Sequence, residues 1–353
     1  MTSRERVLKT FALEKPDRMP VDYLGNEGIN SKLIKHFKVK SYDEMLDALD
    51  TDFRGICAPY TGKNLFPKKA GLNVDRVYGF YTKWIPHPAG GYWDFVDFPL
   101  KDADEETIAN FPMPDPGDFD YSGIPAMVKK FAGRAVYAGS AGFADVINST
   151  GRVMGMEQTL LNLITEDEAT LTYINRRTEM ELGWLDKTIK AAKGAVDFIW
   201  IGEDLGTQIA PMISIDLYRK VLKPLHKKYV DLAKSYNLPV MVHTCGSSSW
   251  VYEDFIEMGV KAVDTLQPEA AGMNPEYLIK HFGGRLAFHG SISTAGPLAY
   301  GTPAEVDADV KAKCGIYRPT NGYMISPTHM IQDNSPLENV LTLYNAARKY
   351  GGY

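Results

Sequence analysis

Pro239-Val240-Met241-Val242-His243-Thr244-Cys245-Gly246 places a histidine and a cysteine two residues apart at the end of a valine-rich run. The run has the pattern of a short buried strand, and Gly246 with the serines after it ends that strand. Side chains two apart on a strand point the same way. His243 and Cys245 therefore leave the strand's carboxyl end side by side, one borderline nitrogen and one soft sulfur, half of a zinc site. The pair also reads as a core histidine beside a buried, inert cysteine. What separates the two is whether other parts of the chain supply further ligands.

Strand-like runs recur on both sides of this stretch. Arg18 to Leu24, Asp52 to Ala58, Ala135 to Ser140 and Phe198 to Gly202 precede the run Val240 to Cys245. Ala262 to Gln267, Leu286 to Ser291 and Tyr323 to Ser326 follow it. Thr2-x-x-Glu5 is a capping box that opens a first helix, and Leu217 to Tyr236 is the clearest amphipathic helix between strands. This alternation predicts an α/β protein, a single (β/α)8 TIM barrel over residues 1–353 with an N-terminal helix. The spacing breaks once, at 59–134, too long for a plain crossover and rich in aromatic residues, among them Tyr78, Trp84, Tyr92 and Trp93. Ala89-Gly90-Gly91 between two alternating arms predicts a hairpin there. The insertion is expected over the barrel mouth as a lid; a satellite core or a dimer contact is the alternative.

With 353 residues, 44% of them hydrophobic, the chain can bury a large core. A net charge of -5, with no basic tract, argues against nucleic acid as the main partner. There is no basic-then-apolar leader and no apolar run long enough to span a bilayer. Three scattered cysteines make no disulfide framework, so a cytoplasmic location is expected.

In a barrel of this kind the active site forms at the carboxyl ends of the strands. Collecting the polar residues there gives Asn26 and Glu27, Ser140, Glu203 and Asp204, His243 and Cys245, Asp264 and Gln267, His289 and Ser291, and Thr328 and His329. His243, Cys245, His329 and Glu203 are ligand types that zinc prefers and are the expected metal set. Asp264 and His289 fit roles as supporting partners or barrel-layer residues at least as well as direct chemistry. Cys57 and Cys314 are expected to be structural, and His36, His226 and His281 to lie on helix surfaces.

Several segments together carry a family resemblance. They are Arg4-Glu5-Arg6-Val7 with Pro16-Asp17-Arg18-Met19-Pro20-Val21, then Glu203-Asp204-Leu205-Gly206-Thr207-Gln208 with Pro211-Met212-Ile213-Ser214, Phe288-His289-Gly290-Ser291-Ile292, and Ser326-Pro327-Thr328-His329 with Glu338-Asn339-Val340. The chain resembles the uroporphyrinogen decarboxylase superfamily, and within it the cobalamin (corrinoid)-dependent methyltransferase branch. The porphyrinogen decarboxylases carry paired arginines after the first strand to hold substrate carboxylates. Here that stretch is Tyr23-Leu24-Gly25-Asn26-Glu27-Gly28, without arginine. The His-x-Cys pair is similar to that of the methyltransferases, which use it with a later cysteine to bind zinc; His329 stands at the corresponding place.

The resemblance implies zinc, a corrinoid carried on a separate protein as a transient partner, and in many members a homodimer. The chain has no Asp-x-His-x-x-Gly sequence for holding cobalt itself. The implied activity is methyl transfer between a small methylated substrate or thiol and that corrinoid. Exchanging a thiolate for the His329 imidazole would leave the metal more electrophilic. With the aromatic-rich mouth, that tilts the expectation toward a methoxylated aromatic as donor. Glu203, Asp204 and His289 are the expected catalytic groups, and Asn26, Glu27, Tyr60, Trp84, Trp93, Met212 and Gln267 the expected substrate contacts. A metal-free decarboxylase or lyase using His329 and Asp204 as acid and base, and a non-catalytic binding protein, are the other readings.

Overall fold

The computed structural model describes residues 1–88 and 90–353. Its strands, in chain order, are β1 (Phe53–Ile56), β2 (Asn73–Val74), β3 (Tyr81–His87), β4 (Gly90–Asp97), β5 (Ala135–Gly139), β6 (Phe198–Gly202), β7 (Val240–His243), β8 (Ala262–Thr265), β9 (Ala287–Ile292) and β10 (Tyr323–Pro327). β1 and β5 to β10 form one curled sheet, neighbour to neighbour in that order and parallel throughout. β2 to β4 form a separate antiparallel sheet within the insertion.

The gap between β10 and β1 is filled by the segment expected as the first strand. Val21 makes a parallel bridge to Ile325. The Ile325 N–H donates to the Pro20 carbonyl at 2.8 Å and the Asp22 N–H to the Ile325 carbonyl at 2.9 Å. On the other side, the Asp52 N–H donates to the Val21 carbonyl at 2.8 Å, and the Asp52 carboxylate accepts the Val21 N–H at 2.7 Å. Only a bridge forms where a strand was expected over Arg18 to Leu24. Pro20 has no N–H to contribute to a ladder, which keeps the pairing short.

Period-two alternation then divides the barrel into two cores. Phe53, Phe198, Trp200, Met241 and Met324 point inward and pack on Val7 and Phe11 of the helix Ser3–Phe11. The expected Thr2–Glu5 capping box starts that helix. Ile199, Ile201, Val240, Val242, Val263 and Ile325 point outward into the shell of helices. The stretch expected as one helix over Leu217 to Tyr236 loosens into a wide π turn at Tyr218–Leu222 before continuing as Lys223–Ser235. Pro224 cannot donate to the carbonyl one turn back, which accounts for the slack.

The hairpin expected around Ala89-Gly90-Gly91 forms as β3–β4, although Ala89 itself lies outside the described residues. Trp84 and Trp93 face each other across it with ring centroids 5.5 Å apart. Gly90 presses on Asp333, in the loop after β10, so closely that a Cβ there would lie 1.6 Å from the Asp333 carboxylate. With φ at +157° as well, the position admits glycine alone.

Asp52 is the tie that closes the barrel. Fully buried, it also takes Arg6 Nη1 at 2.6 Å and Arg18 Nη1 at 2.7 Å. Asp52→Ala would leave Arg6 with Asp17 as its remaining carboxylate and the Val21 N–H without its side-chain acceptor, and is expected to lower unfolding free energy by about 2–3 kcal/mol in urea titration. A loss below about 1 kcal/mol would contradict this role.

Candidate metal centre

His243 ends β7, and Cys245 follows it two residues on. Their side chains meet as the alternation requires, with Cys245 Sγ 3.3 Å from His243 Nε2. The third member comes from the loop after β6. Asp204 Oδ1 lies 3.7 Å from His243 Nε2 and accepts the Cys245 N–H at 2.9 Å, while Asn148 Nδ2 donates to Asp204 Oδ2 at 2.9 Å. One ligating atom from each of Asp204, His243 and Cys245 falls within 4.8 Å of the others. The loops bearing Asp204 and Cys245 touch backbone to backbone: a Cβ on Gly246 would lie 2.3 Å from the Gly206 carbonyl oxygen. Gln267 Oε1 accepts the Gly246 N–H at 3.1 Å and fixes the far side of the turn.

Glu203 and His329, expected as ligands, are not members of this group among the described residues. Glu203 immediately precedes Asp204 in the chain, faces the opposite way and points outward. Its carboxylate accepts the Val146 and Ile147 N–H groups at 2.7 and 3.0 Å and lies 3.2 Å from His226 Nε2. Complete burial raises its pKa to about 7. Glu203 thus anchors the start of the helix Ile147–Met154 rather than facing the mouth. His329 is an exposed residue just past β10. Partial burial and then the charge of His243 hold its imidazole below the ordinary value. His226, expected on a helix surface, is buried against Glu203 and Tyr218. Leu222, Leu225, Tyr229, Val230 and Ala233 share its buried stripe, the spacing that would have signalled it.

Below the triad, His243 Nδ1 lies 2.6 Å from Asp264 Oδ2 and 2.8 Å from Thr265 Oγ1. Asp264 Oδ1 lies 2.7 Å from His289 Nδ1. Burial opposes charge on His289, but Asp264 and Asp22 overcome it and raise its pKa to about 9. Burial likewise opposes charge on Asp264, and the two histidines pull it down to about 2. His289, expected as a catalytic group, therefore has both ring nitrogens engaged inside the barrel.

The expected substrate contacts divide. Asn26, Glu27, Trp84 and Trp93 line one cleft of about 360 Å³, beside Met330 and Gln332. Tyr60 lines another cavity, of similar size, against Phe119, Phe143 and Trp184. Met212 borders a groove with Leu160 and Ile164, and Gln267 is occupied by the Gly246 backbone.

Residues 143–350 match the family model for uroporphyrinogen decarboxylase (URO-D). The chain belongs to the uroporphyrinogen decarboxylase family. Among solved structures, a methyltransferase from Methanosarcina mazei is 16% identical, covers 99% of this chain and 99% of its own, and superposes with a TM-score of 0.69. An L-ribulose 3-epimerase is 12% identical over 72% of this chain and 93% of its own, with a TM-score of 0.41. No curated protein matches the sequence. Among the described residues, no helix is long and apolar enough to cross a membrane. Within the family's barrel, the Asp204–His243–Cys245 group sits at the carboxyl ends of β6 and β7, where such barrels hold their chemistry.

Without metal, burial raises the Cys245 thiol above its ordinary range, and His243 is raised by Asp264 and Cys245 against the opposing effect of burial. Both groups therefore carry a proton near neutral pH, and a metal must displace both. Apparent zinc affinity should rise by about 100-fold for each pH unit between pH 6 and 7, as two protons compete for the site. Competition against a chromophoric chelator checks this; an affinity flat with pH would contradict it.

Proposed function

We propose that this protein is a methyltransferase that moves a methyl group between a small methylated substrate, or a thiol, and a corrinoid carried by a separate protein, with zinc held by Asp204, His243 and Cys245. The observation that carries the proposal is the convergence of a carboxylate, an imidazole and a thiol within 4.8 Å at the barrel mouth. Their chemistry fits the ion: three protein ligands of these types leave a position open for a reactant, the pattern of catalytic rather than structural zinc. When bound, zinc would supply a Lewis acid able to activate a thiol or to polarise the leaving group of a methyl donor.

The chain's own groups then have definite tasks. Asp204 and Cys245 supply two negative charges, and Asn148 and the Cys245 N–H hold the Asp204 carboxylate in place. With two anionic ligands, as in the set expected from sequence, the charge of the centre favours neither an ether oxygen nor a thiol as the activated group. The cleft between Asn26, Glu27, Trp84 and Trp93 offers aromatic surface to the organic part of a methylated substrate, methoxylated aromatics included. The hairpin β3–β4, seated on Asp333, would act as the lid, and the corrinoid protein would approach over the same face.

Metal analysis of purified protein tests the site, and anaerobic demethylation of methylcobalamin in the presence of a small thiol tests the reaction. About one zinc per chain is expected, lost in His243→Ala and Cys245→Ala and kept in His329→Ala. Demethylation should fall by about 100-fold or more in the two variants that lose metal. Equal zinc in the wild type and both ligand variants, or turnover indifferent to them, would overturn the proposal.

A further inference from the structure

The triad rests on a row of buried polar groups that crosses the barrel interior. His243 Nδ1 is 2.6 Å from Asp264 Oδ2, and Asp264 Oδ1 is 2.7 Å from His289 Nδ1. His289 Nε2 is in turn 3.2 Å from Asp22 Oδ2. His243, Asp264 and His289 stand in register on β7, β8 and β9, and Asp22 belongs to the segment that closes the barrel. Carboxylate and imidazole alternate along the row, and its members are between 1% and 7% exposed.

We infer that His289 and Asp22, both buried in the barrel, are positioning residues for the metal ligand His243. This inference rests on the zinc-site reading above. A neutral imidazole beside a carboxylate acceptor keeps its proton on the nitrogen facing that carboxylate. Asp264 thus assigns the proton to Nδ1 and leaves the Nε2 lone pair free to ligate a metal on the side of Cys245 and Asp204. A carboxylate held at one oxygen can still swing. Asp264 cannot, because His289 holds the second oxygen.

His289 is itself immobilised. Phe53 and Trp200 flank its ring, each with a centroid 5.6 Å away and steeply inclined. Asp22 takes its remaining nitrogen. The backbone of Asp22 is pinned from both directions, donating to the Ile325 carbonyl at 2.9 Å and accepting the Tyr344 hydroxyl at 3.1 Å. The row therefore transmits the position of the barrel's closing segment to a ligand on β7, beyond β10, β9 and β8. His289 with both nitrogens engaged is a fixed strut, the supporting role weighed for it from sequence beside a catalytic one.

The test is zinc affinity, by chelator competition, of wild type, Asp22→Ala, Asp22→Asn and His289→Gln, each checked by circular dichroism to be folded at the assay temperature. Visible spectra of the cobalt(II)-substituted proteins report ligand geometry separately. Asp22→Ala and His289→Gln should bind zinc about 10-fold or more weakly and shift the cobalt bands. Asp22→Asn keeps an acceptor for His289 and should restore most of the affinity. If Asp22→Ala does not fold, His289→Gln carries the test, since one amide cannot span both carboxylates. Wild-type affinity and unshifted bands in the variants would overturn the inference while leaving the zinc site intact. No zinc binding by the wild type would overturn both.

Discussion

The period-two alternation of side chains at the carboxyl ends of β6 and β7 is the constraint from which the site follows. His243 and Cys245 must project together because they are two apart. Asp204 and Glu203 must part because they are adjacent. One acid is delivered to the mouth beside the thiol and imidazole, and the other is driven into the helical shell, where backbone N–H groups and His226 receive it. Nothing about carboxylate chemistry distinguishes the two acids; the face of the strand on which each falls does.

That arrangement buries several ionisable groups, and the barrel can do so only because they are matched. Asp264 lies between two histidines, and His289 lies between two carboxylates. Removing any one of them would expose its neighbours to the full desolvation penalty of an unpaired buried charge. The same pairing that keeps the interior stable also leaves the His243 ring with one nitrogen held and one facing the mouth. Closure of the barrel through Asp52 and the buried row that ends at His243 thus converge on one short segment, Pro20 to Asp22.

Much of this was legible in the chain itself. The His-x-Cys spacing gave the shared face of His243 and Cys245, and the valine-rich and β-branched runs gave the parallel strands within a residue or two. The aromatic hairpin of 59–134 was visible from its two alternating arms. What stayed hidden depended on three dimensions. The first strand shrank to a bridge because Pro20 withholds a hydrogen bond. Asp204 rather than Glu203 joined the triad because the strand's exact end decides which face each residue takes, and strand ends are the least certain feature of a sequence. Asp22 had no signal beyond its alternation with Val21 and Tyr23, since its partner His289 lies far along the chain.

Zinc-edge X-ray absorption on the metal-loaded protein probes the donor set directly. One sulfur near 2.3 Å, with a nitrogen and oxygen shell near about 2.0–2.1 Å, is the spectrum that a Cys–His–Asp centre should give. A zinc environment with no sulfur, or with two, would contradict the assignment of Asp204, His243 and Cys245 as its ligands.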